Sequence, residues 1–311
     1  MTHFAHDSVL PDECMEWLAV KPNGIYIDAT VGGGGHTLLI AQRLTVGHTY
    51  GFDKDTAALQ AAARRLEPMQ DRVTLHHGDF RIMEQTLAPY GVNAVDGVLF
   101  DLGVSSPQLD DAVRGFSYKA DAPLDMRMDR TQILTARQIV NEWPEGELAR
   151  ILREYGEERY ARSIASAIVR RREAAPVETT HELVNVIRSA MPGKALREDQ
   201  HPARRTFQAL RIAVGDELEA VRQGLASAIR LLKPGGRAVC ISFHSLEDRI
   251  AKQMFASLAS GCQCPPDFPV CTCGRKAALR LLTKKPVKAG AEELAANPRA
   301  RSASLRVAEK L

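Results

Sequence analysis

The chain of 311 residues has no apolar run near the ~18–20 residues that a membrane-crossing helix needs, and its N-terminus lacks the basic-then-apolar pattern of a secretory signal. No internal repeat or low-complexity tract is present, which excludes solenoid and repeat architectures. The glycine-rich run is not followed by Lys-Ser or Lys-Thr, so a Walker A phosphate loop is excluded as well. These absences point to a cytoplasmic enzyme without membrane attachment. At ~100–200 residues per domain the chain holds one or two domains.

Charge is nearly balanced overall, at +3, but unevenly spread. From Arg275 to Leu311 ten Lys or Arg face three Glu, a local excess of +7. A basic C-terminal surface suits a polyanion, whereas a solvated tail would carry the same charge without binding anything.

The most informative stretch is Asp28-Ala29-Thr30-Val31-Gly32-Gly33-Gly34-Gly35-His36, between the apolar run Ile25–Ile27 and a segment of helical spacing. A strand that ends in glycines and opens a helix lets backbone N–H groups approach a ligand closely. The next strand ends in Asp53, 18 positions after Gly35. In dinucleotide-binding folds a carboxylate about 20 residues on accepts hydrogen bonds from a ribose diol. The placement of Asp28 ahead of the glycines disfavours a pyrophosphate and favours a cationic ligand. S-adenosylmethionine carries both an ammonium and a sulfonium.

Strand and helix signals alternate as far as residue 102. Ile25–Thr30, Thr49–Asp53, Val73–His77 and Val95–Asp101 read as buried strands, with helices near 36–44, 55–67 and 81–89. The rhythm then stops. From about Ser105 to Arg211 the periodicity is mostly helical, including Glu147 to Arg172. Strand signal resumes at Arg237–Phe243, and Ser304–Val307 is a final candidate. The expected architecture is a Rossmann-like α/β domain, residues 1–108 and 212–311, interrupted by an inserted helical substrate-recognition domain, 109–211. Ligands of such sheets bind at the carboxyl ends of the strands. Four strand ends carry Asp28, Asp53, Asp79 and Asp101, and Phe80 follows Asp79 where a ring can stack on adenine.

Of six cysteines, Cys14 and Cys240 are isolated, and Cys240 lies in an apolar strand as a core residue would. Cys262-x-Cys264 and Cys271-x-Cys273 form a paired cluster. Four thiolates at such spacing suit tetrahedral zinc, although C-x-C is tighter than the commoner C-x₂-C.

Further blocks run through the chain in order: Asp101–Gln108, Arg114–Ser117, Pro123–Met128, Tyr155–Arg159, His201–Gln208, Ser242–Arg249 and Asn297–Ser302. Together with 28–36 they resemble the MraW/RsmH family, bacterial enzymes that methylate N4 of a cytidine in the decoding region of 16S rRNA. The resemblance implies a class I S-adenosylmethionine-dependent fold, and 16S rRNA or the small ribosomal subunit as partner. It implies cofactor contacts at Gly34, Gly35, His36, Asp53, Phe80, Asp101 and Gln108. Asp101 is the expected catalytic residue, though Asp101-Leu-Gly-Val-Ser-Ser-Pro107-Gln108 departs from the Asp/Asn-Pro-Pro-aromatic motif of many amino methyltransferases. A target base must be unstacked, and single strands are held by cations and aromatic rings. Candidates for that role include Arg127, Arg204, Arg205 and Phe207, and also His244, for which a packed structural role is the alternative. A nicotinamide-dependent oxidoreductase would share the sheet and Asp53 but not the basic segment. N4-cytosine methylation of DNA is the competing reaction. The sequence leaves a monomer and a homodimer equally open.

Overall fold

The apolar runs pair into one seven-stranded sheet in a computed structural model that describes residues 8–262, 264, 268, 270 and 273–311. The strands are β1 (Ile25–Asp28), β2 (His48–Asp53), β3 (Val73–His77), β4 (Val95–Asp101), β5 (Leu232–Ser242), β6 (Leu279–Leu281) and β7 (Ser304–Lys310), in the order β3-β2-β1-β4-β5-β7-β6. Strands β1 to β5 are mutually parallel, and β7 runs antiparallel between β5 and β6. That order, with a reversed β7, is the Rossmann-like arrangement of class I methyltransferases. Central parallel strands are buried on both faces, which is why β4 reads as a continuous apolar run from Val98 to Phe100.

The register aligns the strand ends. Asp28 lies opposite Gly51 and Leu99, Asp53 opposite His77, and Asp101 opposite Ile241. Strand order reverses at β1, with β2 and β3 on one side and β4 on the other, and such a switch point opens a crevice at the carboxyl edge.

Three features differ from the sequence expectation. Strand β5 begins at Leu232, ahead of the Pro-Gly-Gly turn, and its register against β4 shifts between Val95 and Gly97. Strand β6 has three residues, too few for a periodic signal. The basic C-terminal segment is no solvated tail: Leu305, Val307 and Ala308 are fully buried in β7. Several of its cations are used internally, Arg306 on Asp248 at 2.7 and 2.8 Å, and Arg280 on Glu309.

The chain divides into two compact units, residues 1–103 with 218–311, and 104–217. The second is wider at both ends than the 109–211 read from the sequence, because it takes in the short helix Ser106–Asp110 and all of helix Arg204–Gly215. It is helical, with a core that includes Ile139, Leu148, Ile151, Ile164, Ile168, Leu183 and Leu210. The stretch Glu147–Arg172 is two helices, Glu145–Glu154 and Ala161–Ala174, rather than one. Glu157 sits at φ 49°, and the N–H groups of Gly156 and Glu158 return to Ile151 O and Leu152 O at 3.3 and 3.1 Å, closing the first helix.

Among the described residues no helix is long and apolar enough to cross a membrane. A Cβ on Gly156 would lie 2.6 Å from Arg205 O and 2.7 Å from Leu152 O. Backbone oxygens cannot rotate away, so Gly156→Ala is expected to destabilise the helical unit by about 1–3 kcal/mol, read as a lower urea midpoint.

Candidate cofactor and catalytic site

The loop from Asp28 to Gly35 is built around a fully buried carboxylate. Asp28 accepts from Thr30 N–H at 3.1 Å and from the Thr37 hydroxyl at 2.6 Å. Burial pushes its carboxyl up to about 6, against those two hydrogen bonds. The Thr30 hydroxyl in turn accepts from Asp101 N–H at 2.6 Å, so one short chain of bonds links β1, β4 and helix Gly35–Arg43. Val31 N–H reaches Phe52 O at 3.0 Å, fastening the loop to β2.

Gly34 caps that helix at φ 79°, a left-handed conformation in which a side chain is strained. At Gly35 a Cβ would lie 2.1 Å from the Ser8 hydroxyl, which would have to turn away to admit it. Asp53 receives Gly32 N–H at 2.7 Å and Asp55 N–H at 2.8 Å, one on each oxygen. Burial raises its carboxyl to about 6 despite both bonds.

His36 is 4 % exposed. Its Nε2 is 3.0 Å from Val9 O and its Nδ1 is 3.7 Å from Asp101 Oδ2. Asp101 is the most perturbed carboxyl of the group. Burial, then the nearby charges of Asp28 and Glu247, push it up to about 8. Its Oδ1 is buried and has no hydrogen-bond partner among the described residues. Such an atom normally costs free energy unless something else pairs with it.

At the end of β3, Asp79 is held by Lys54 at 2.7 Å and by Arg81. Burial acts to raise its carboxyl, but Lys54 and Arg81 outweigh it and hold it below the usual range. Phe80 is largely buried, edge-on to Phe100 with centroids 5.5 Å apart, and it fills the space over Gly224, where a Cβ would come within 2.4 Å. Gln108 belongs to the helical unit, where its side-chain carbonyl accepts Ser105 N–H at 3.0 Å.

The residues expected to touch a nucleic acid divide by burial. Arg127 is committed internally: two bonds of 2.8 Å to Asp125, and others to the carbonyls of Arg130 and Gln132. Phe207 is 4 % exposed and edge-on to Tyr118, packed within the core of the helical unit. Arg204 is exposed at the start of its helix, and Arg205, half-buried, donates to Glu157 O at 3.3 Å. His244 occupies the N-cap position of helix Ser245–Ala259 without a side-chain cap bond; its Nε2 is 3.2 Å from Glu247 Oε1, and neither ring nitrogen makes a hydrogen bond among the described residues. Glu247, 1 % exposed, also accepts Phe243 N–H at 3.0 Å. Sequence reasoning missed Thr30, Thr37 and Glu247. Their one visible signal was position, a Thr two residues after Asp28 and an acid in the first turn of a helix.

The thiols of Cys262, Cys264 and Cys273 lie within 4.8 Å of one another. Cys271, expected to be the fourth of that set, lies outside the described residues. Cys14 and Cys240 are buried in the core.

Comparison with known proteins gives a full-length match. Residues 3–311 match the model of the MraW methylase family. The ribosomal RNA small subunit methyltransferase H of Symbiobacterium thermophilum is 56 % identical over 99 % of this chain and 97 % of its own length. Its namesake from Heliobacterium modesticaldum is 55 % identical over 99 % of each. A solved rRNA methylase from Streptococcus thermophilus aligns over 97 % of this chain and 93 % of its own with a TM-score of 0.42 and 11 % identity. The full-length match and the identity over nearly the whole of both relatives carry one conclusion: the chain belongs to the MraW methylase family.

Proposed function

We propose that this protein transfers a methyl group from S-adenosylmethionine to the exocyclic N4 amine of a cytidine in small-subunit ribosomal RNA. The observation that carries the reading is the buried Oδ1 of Asp101, without a partner among the described residues, beside the glycine loop at the carboxyl edge of a parallel sheet. A cation is the ligand chemistry such an oxygen calls for, and the cofactor is a cation. When bound, S-adenosylmethionine supplies a methyl group already made electrophilic by the sulfonium.

The residues divide the work. The loop at Gly34 and Gly35 gives close backbone approach, Asp53 is placed to accept from a ribose diol, and Phe80 offers an apolar wall. His36 sets the Asp101 carboxyl in place from one side. Gln108 remains a cofactor contact in this reading through its amide group.

Asp101 has a second duty. Cytosine N4 is a weak nucleophile because its lone pair is delocalised into the ring, and it must shed a proton as it is methylated. Ionised when the cationic cofactor binds, the Asp101 carboxylate is then available to accept that proton. The remaining acceleration is alignment, which in favourable intramolecular cases is worth roughly 7–11 kcal/mol.

The helical unit recognises the RNA in this reading. Arg162 and Arg204, both exposed, with Arg205, are its cations for phosphates, while Arg127 and Phe207 support that surface from within. On the other unit Arg299 and Arg301 are exposed cations that can pair with phosphates in this reading. His244 positions Glu247 and takes no direct part.

Methyl transfer from labelled cofactor to small subunits lacking the modification, to free 16S rRNA and to cytosine-containing DNA tests the assignment. N4-methylcytidine in the subunit RNA is expected, and label confined to DNA would overturn it. Asp101→Ala is expected to lose roughly 10²–10⁴-fold in transfer rate. Unchanged transfer together with unchanged cofactor affinity would sink the role given to Asp101. Because a cationic ligand needs Asp101 ionised, cofactor affinity is expected to rise with pH up to about 8 and then level, with a proton released on binding. Calorimetry in buffers of different ionisation enthalpy measures that proton, and Asp101→Asn is expected to abolish its release.

A further inference from the structure

The methyl transfer proposed above does not use the thiol cluster, whose geometry is nonetheless specific. Cys262 Sγ and Cys273 Sγ are 3.9 Å apart, and Cys264 Sγ lies within 4.8 Å of both. A disulfide would require about 2.0 Å. Thiolates at a Zn–S distance of about 2.3 Å stand about 3.8 Å apart along the edge of a tetrahedron. The observed separation therefore fits sulfurs arranged around a common ion.

Two further observations point the same way. Cys264 N–H is directed at Cys262 Sγ at 3.4 Å. Backbone donors of this kind stabilise a thiolate over a thiol and orient it toward a metal. Among its described residues the segment also buries no apolar core. Phe268 and Val270 are 52 % and 70 % exposed, and Cys262 and Cys273 are exposed too. It is nonetheless pinned at its far end, where Ala278 N–H bonds Leu258 O at 2.8 Å just before β6. Described residues that bury so little apolar surface need another source of order, and metal binding supplies folding free energy directly. In sequence, Arg275 and Lys276 follow at once and offset the negative charge a thiolate site would carry.

We infer that Cys262, Cys264 and Cys273 form a structural thiolate site for a soft divalent cation, zinc, that staples the segment between helix Ser245–Ala259 and β6. The three thiols give up their protons to solvent as the ion binds, and one vertex of the tetrahedron is left for a fourth donor. The ion stands apart from methyl transfer.

The test uses full-length, untagged protein purified under reducing conditions and supplied with zinc. About one equivalent of tightly bound zinc per chain is expected by mass spectrometry, falling below about a tenth in Cys262→Ser and Cys273→Ser. Cobalt(II) titrated into the metal-free wild type is expected to give thiolate charge-transfer absorption and the intense visible bands of a tetrahedral site. This second readout needs no variant to fold. Limited proteolysis is expected to cut the metal-free form within 260–278 and to spare the zinc form. Wild-type protein with reduced thiols that takes up less than about a tenth of an equivalent overturns the inference, as does zinc binding that survives both substitutions.

Discussion

The site depends on one buried carboxylate. Asp28 is fully enclosed and is tolerated there because Thr30 N–H and the Thr37 hydroxyl satisfy it. An isolated charge in that position would cost far more than its neighbours could return. The same two threonines make Asp28 a joint: Thr37 belongs to helix Gly35–Arg43, and the Thr30 hydroxyl holds the backbone of Asp101 in β4. The glycine loop, the helix that follows it and the backbone of Asp101 are thereby fixed by a single hydrogen-bonded chain. The charge of Asp28 also helps to raise the Asp101 carboxyl, so the joint is electrostatic as well as mechanical.

Two neighbouring carboxylates on the same edge show how environment separates their roles. Asp79 has Lys54 and Arg81 beside it and stays ionised, whereas Asp101 has burial and two anions and does not. The contrast is the usual way in which one kind of side chain is turned to different chemical tasks.

Residue type alone did not reveal which cations and rings are left exposed. Arg127 and Phe207 have the chemistry of nucleic-acid contacts, but the helical unit uses both to hold itself together. A guanidinium has five donors, and a nearby carboxylate with two loop carbonyls can consume most of them. The basic C-terminal segment behaves in the same way: Arg306 and Arg280 are committed to ion pairs around β7. Net charge counted along a sequence overstates the charge left for a partner.

The sequence by itself determined the alternation of strands and helices, the interruption after the fourth strand and the aspartates at four successive strand ends. Each is written in local order: apolar runs of strand length, a change of period, and an acid at the end of a run. The glycine run was legible for the same reason. What tertiary structure decided was which polar groups find partners. The bonds from Thr30 to Asp28 and Asp101, the lone oxygen of Asp101, the Lys54–Asp79 pair and the burial of Phe207 all join groups that meet only when strands and helices pack. The break at Gly156 and the placement of β7 were settled in the same way, by the close approach of Arg205 O and by the unpaired edge of β5. Local pattern fixes what each segment is, but the pKa of a carboxyl and the exposure of an arginine are properties of distance, and distance is set only by the fold.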